Sequence, residues 1–153
     1  RGDGVRMCAG GCDMTVDIIS VGNLKEKYLR DAVSEYEKRL GAYCTLRNLT
    51  FRRDEDIPAL LAPRAYKTAL CIEGKMLSSE QLAAKLDGYA VRGFSHLQFI
   101  IGASDGIPEN VKKMCDERIS FSPMTFPHQL ARVMLLEQTY RAMKIAAGER
   151  YHK

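Results

Sequence analysis

Apolar residues along this chain fall in short continuous runs that alternate with helically spaced stripes. Thr15 to Val21 (T-V-D-I-I-S-V) reads as a strand that stops at Gly22. From Lys25 to Leu40 the period changes, and Leu29, Val33, Tyr36 and Leu40 share one helical face. Cys44 to Phe51 is strand-like with partial alternation. Glu55 to Leu61, marked by Pro58 and Pro63, allows at most a short helix. Lys67 to Ile72 is a short apolar strand ending at Glu73-Gly74. Ser78 with Gln81 three residues later makes a capping box, opening a helix through Tyr89. His96 to Ile101 (H-L-Q-F-I-I) is the most strand-like run, and a helix is expected from Pro108. Ile119 to Ser122 predicts a brief strand. Pro127 to Ala147 predicts the longest helix, closed by Gly148 in the manner of a C′ glycine.

This alternation predicts an α/β fold, a mostly parallel sheet with helices on both faces, in one domain over residues 14–153. The last helix is apolar nearly all round at Val133-Met134-Leu135-Leu136, so it needs cover on several sides. A subunit interface is therefore expected there. Residues 1–13 have no periodicity and no signal-peptide core, and are expected to be an upstream extension or a cloning remnant, and disordered.

Composition changes the picture at one point. With 46% hydrophobic and 27% charged residues the chain is an ordinary globular sequence, and no apolar run reaches the roughly 20 residues of a membrane span. The net charge is a modest +4, but its placement is uneven. Residues 118–153 hold six basic side chains (Arg118, Arg132, Arg141, Lys144, Arg150, Lys153) and two acidic ones (Glu137, Glu149), which leaves 17 of each sign before them. The surplus at this end suggests an anionic partner. The five cysteines (Cys8, Cys12, Cys44, Cys71, Cys115) lack the spacing of a disulfide framework, so a reducing, cytoplasmic compartment is expected. No metal-ligand spacing is complete, and no metal is expected.

Two loops are candidates for chemistry. Ile101-Gly102-Ala103-Ser104-Asp105-Gly106-Ile107-Pro108 follows the clearest strand, where open α/β sheets bind ligands. Its glycines either admit a ligand to the backbone or only serve a turn. It is neither a Walker A loop nor a GxGxxG fingerprint. The segment from Ile119 to Leu130 mixes hydroxyls, two phenylalanines and two prolines. It either walls an aromatic ligand or plugs the sheet edge. His128 is a base, a phosphate contact or a structural histidine. The tail Arg150-Tyr151-His152-Lys153 suits RNA by composition, or is simply a frayed end.

These segments together resemble the RlmH family of SPOUT methyltransferases. The stretches that carry the resemblance are I-I-S-V-G-N-L-K-E-K-Y-L, A-L-C-I-E-G-K-M-L-S-S-E, F-I-I-G-A-S-D-G, S-F-S-P-M-T-F-P-H-Q-L-A-R-V, L-L-E-Q-T-Y-R-A and the closing Y-H-K, in order from Met14 to Lys153. The resemblance implies a C-terminal trefoil knot and a homodimer that binds S-adenosylmethionine. It also implies methyl transfer to N3 of a pseudouridine in 23S rRNA of the large ribosomal subunit. Carried over by position, the cofactor contacts fall on Leu70, Gly102 and Phe121, Ser122, Pro123, Met124, Thr125 and Phe126. N3 must lose its proton, and His152, then His128, are the candidate bases. Arg132 is a candidate catalytic cation, and Arg141, Tyr151 and Lys153 are candidate RNA contacts. Three departures from the family pattern are Ala103 in place of a second glycine, Pro123 where a lysine or other residue is common, and a short 52–66 segment. They keep two alternatives open, a SPOUT enzyme acting on another RNA such as tRNA, and a non-catalytic ribosome-associated dimer.

Overall fold

The computed structural model describes residues 14–22 and 24–149; the expectations for residues 1–13 and for the tail 150–153 lie outside them. The chain runs β1 (Thr15–Val21), α1 (Lys27–Leu40), β2 (Thr45–Phe51), two 3-10 turns (Asp54–Asp56 and Pro58–Leu60), β3 (Tyr66–Met76), α2 (Ser79–Val91), β4 (His96–Ile101), α3 (Glu109–Lys113), β5 (Glu117–Ser120) and α4 (His128–Ala146). The strands form one sheet in the order β2-β1-β4-β3-β5, with every pairing parallel. α2 opens on the expected capping box: Ser78 Oγ accepts from the Gln81 amide, and the Gln81 side chain accepts from the Ser78 amide.

Alternation within the parallel strands sorts the core onto two faces. Val16, Ile18, Leu97, Phe99 and Ile101 point to one face and pack against α1, α4 and α2. Ile19, Ala69 and Ile100 point to the other, under Ile57 of the 3-10 segment and Val111 of α3. Both faces are covered, unequally: three full helices against two turns and one short helix. The short 52–66 segment is thus a working part of the core, since Ile57 is completely buried.

Three expectations change in the folded chain. α4 lies between α1 and α2 on the sheet, and from Ala131 to Ala146 none of its residues is exposed. Its apolar pattern is accounted for within one chain and is not by itself the mark of a subunit interface. β3 does not stop at Glu73 but runs on to Met76, because β5 pairs with it twice. Leu70 and Lys75 both take Ile119 as partner, so the residues between them bulge out of the ladder. Gly74 makes this possible: a Cβ there would lie 2.6 Å from the Ile119 backbone. β5 is drawn two residues earlier than its apolar run suggests, to Glu117–Ser120, and frees Ser122 for the loop beyond. Among the described residues no helix is long and apolar enough to cross a membrane, and no His, Cys, Asp and Glu group is placed to hold a metal.

Candidate active site

The carboxyl ends of β3, β4 and β5 open into a cleft of about 640 Å³, the size of a small-molecule site. One wall is the β3 bulge, Leu70 to Glu73. The second is the turn after β4, Ile101 to Ile107, and the third runs from Ser120 along the loop into the first turn of α4. Both glycines of the loop serve its turn. Gly106 has φ +84°, and its amide bonds to the Ala103 carbonyl at 2.8 Å, closing a turn. Gly102 lies so close under that turn that a Cβ would meet Gly106 and Ile107 backbone atoms at 2.5–2.8 Å. Ala103 is accommodated in the same turn, bridged to Gly106.

The loop after β5 is pre-folded by its hydroxyls. Ser120 Oγ accepts from the Ser122 amide at 3.1 Å and donates to the Ser122 carbonyl at 2.9 Å. Ser122 Oγ accepts from the Met124 amide at 2.8 Å. Phe121 and Phe126 lean on the helix-side core, and Met124, 72% exposed, stands at the mouth. Of the expected contacts, Leu70, Gly102, Phe121, Ser122, Met124, Thr125 and Phe126 line the cleft. Pro123 does not: it sits at the apex of the Ser122–Met124 turn and faces solvent.

His128, the first residue of α4, lines the cleft and also an adjoining groove between the starts of α1 and α4. Arg132 is not part of the cleft lining. It is 7% exposed, its Nε meets no hydrogen-bond partner among the described residues, and burial pulls its guanidinium down while Glu37 of α1 partly restores it. Arg141 lies farther along α4, with Glu137 3.4 Å away. Tyr151, His152 and Lys153 fall outside the described residues.

Sequence reasoning missed Glu73 and Lys112, which line the cleft from the bulge and from α3. Lys112 Nζ bonds to Glu73 Oε2, and Arg118 approaches the same oxygen at 3.9 Å. The Lys112 bond, then the residue's own amide, holds the Glu73 carboxyl below its usual range. Burial pushes the neighbouring Cys71 thiol up, as it does Cys115, to about 11, so neither is an activated nucleophile.

The family model described as "Predicted SPOUT methyltransferase" matches residues 14–152. The chain belongs to the SPOUT methyltransferase family. It is 48% identical over 159 residues to Ribosomal RNA large subunit methyltransferase H of Bifidobacterium adolescentis, covering 92% of this chain and all of that one. It is 46% identical over 160 residues to the protein of the same name from Clostridium botulinum strain Eklund 17B, with the same coverage. Among solved structures, a probable methyltransferase from Bordetella pertussis Tohama I superposes with a TM-score of 0.61 at 10% identity, over 86% of this chain and 96% of that one. The SpoU methyltransferase AviRb of Streptomyces viridochromogenes, solved in complex with AdoMet, superposes at 0.50 with 12% identity, over 92% and 61%. These distant matches show the fold alone, and the parallel sheet agrees with its α/β class.

Proposed function

We propose that this SPOUT protein transfers a methyl group from S-adenosylmethionine to N3 of a pseudouridine in 23S rRNA. The observation that carries the reading is the cleft, built where Gly102, the β3 bulge and the Ser120–Phe126 loop converge, in a chain 46–48% identical to large-subunit rRNA methyltransferases. The residues present fit the cofactor. Gly102 lets the turn that walls the cleft close tightly over it, the phenylalanine loop offers apolar wall, and Glu73, Asp105 and Lys112 offer charged groups for a zwitterionic ligand. The cofactor supplies an electrophilic methyl on a sulfonium; the protein's part is to orient the partners and manage one proton.

In this reading Leu70, Gly102 and the loop residues Phe121, Ser122, Met124, Thr125 and Phe126 hold the cofactor. The N3 proton passes to His152 or, second, to His128. Arg132 contributes a fixed positive charge one helical turn from His128. Arg141, Tyr151 and Lys153 meet the RNA. We infer further a cytoplasmic homodimer working on the ribosome, and a C-terminal trefoil knot. Tyr28, 69% exposed, and Leu130, 40% exposed, beside the groove shared with His128 support a partner subunit at that edge. The return of α4 from the edge strand β5 to the middle of the sheet supports the knot.

Calorimetry with S-adenosylhomocysteine separates this reading from a non-catalytic dimer, for which no binding is expected. Single-turnover methylation with bound ribosomes separates the bases. His152→Ala at full rate removes that residue from the role, and His128→Ala is then expected to be the slow variant.

A further inference from the structure

The charges around the cleft do not balance. Apart from His128, three of its lining side chains are ionic: Glu73, Asp105 and Lys112. Lys112 Nζ bonds to Glu73 Oε2, and Arg118, outside the lining, stands 3.9 Å from the same oxygen. Each partner steadies the other's charge: the bond holds the Glu73 carboxyl below its usual range and raises the Lys112 ammonium above its own. The pair therefore cancels. Asp105, third residue of the turn closed by the Gly106 amide on the Ala103 carbonyl, is exposed and enters no ion pair among the described residues. One negative charge is left on the cleft wall.

A cavity of about 640 Å³ is roughly one screening length across in ordinary buffer salt, so an unpaired wall charge acts on whatever fills it even without touching it. S-adenosylmethionine and S-adenosylhomocysteine carry the same nucleoside and the same amino-acid zwitterion. They differ by one methyl and by the positive charge on sulfur, because the departing methyl leaves its bonding pair behind and the sulfonium becomes a neutral thioether. The donor is a net monocation, and the product is net neutral.

We infer that Asp105 is a specificity-determining residue: its unpaired carboxylate makes the cleft prefer the charged methyl donor over the neutral product. This rests on the reading above that the cleft holds the cofactor. The preference favours exchange of product for fresh donor after each transfer. Calorimetry with the two ligands at one pH, which keeps His128 constant, reads the ratio of their affinities. Asp105→Asn keeps the side chain's size and suits a turn. It is expected to cut the ratio about fivefold, by weakening the donor, as for one exposed charge acting across a short distance. Asp105→Glu keeps the parent ratio. Lys112→Met uncovers the Glu73 charge and raises the ratio, by a smaller factor because Arg118 remains beside that carboxylate. Added salt lowers the ratio in the parent and lowers it less in Asp105→Asn. An unchanged ratio in Asp105→Asn overturns the inference. Equal losses for both ligands also overturn it, since they mark a residue that only holds the turn or the shared zwitterion. A parent protein that binds neither ligand overturns the reading of the cleft itself, and the inference with it.

Discussion

In the amino half of the sheet Asp17 is completely buried, and its neighbours answer it from three directions. Arg47 donates two bonds at 2.7 and 2.9 Å, Gln98 donates one at 2.9 Å, and His96 lies 2.6 Å away. Gln98 also donates to the Leu60 carbonyl and accepts from the Ala62 amide, which ties the 3-10 segment to the sheet. At the carboxyl edge the polar groups are no fewer. Glu73, Asp105, Lys112 and the serine loop, however, surround a cavity instead of filling one. Polarity alone does not separate a staple from a site. What separates them is whether the bonded groups close over one another or line an open cavity.

Gly102→Ala attacks the open edge. The added methyl meets backbone at 2.5 Å, so the turn that walls the cleft has to move. A misfit of the usual overpacking size lowers S-adenosylhomocysteine affinity about 100-fold, with far-ultraviolet circular dichroism unchanged. Asp17→Ala attacks the closed edge and reverses the pattern. Its loss costs about 2 kcal/mol in urea unfolding, moderated because Arg47 is half exposed and regains water, while cofactor affinity stays the same. Asp17 also sets an acid limb. Burial opposes its ionisation, but the bonds from Arg47, Gln98 and His96 outweigh that and hold its carboxyl below the usual 3.8. Its contribution is complete above 3.8 and is lost as pH falls through the lower folded value. Unfolding midpoints below pH 4 are therefore steeper in the parent than in Asp17→Asn. Lys112→Met gives the smallest effect, an S-adenosylhomocysteine affinity about threefold weaker, since Glu73 remains half exposed to water.

Much of the closed framework was legible in the chain because its signals are local. His96–Ile101 shows its strand as an unbroken apolar run, Ser78 and Gln81 announce α2, and Gly148 marks the end of α4. The loop after β5 was legible for the same reason, since hydroxyls two residues apart fold it on themselves. What was hidden depends on distant pairing. The β3 bulge exists because β5 returns to the same strand twice, and only that bulge brings Glu73 into the cleft beside Lys112. The cover over α4 comes from α1 and α2, which a helical wheel of α4 cannot show. The charge surplus was real in sequence, yet Arg118, Arg141 and Lys144 each pair with a glutamate, Glu109, Glu137 and Glu149, two of them within the same stretch. Pro123 is a different case: it sits inside the site segment in sequence, yet it is exposed and is not among the residues that line the cleft.

The most direct test gives the protein labelled S-adenosylmethionine and ribosomes from a strain lacking the activity, then maps the labelled base. The account predicts one labelled pseudouridine, on N3, in 23S rRNA, and none with Gly102→Ala. Label on tRNA, or no transfer by a protein that binds S-adenosylhomocysteine, would contradict it.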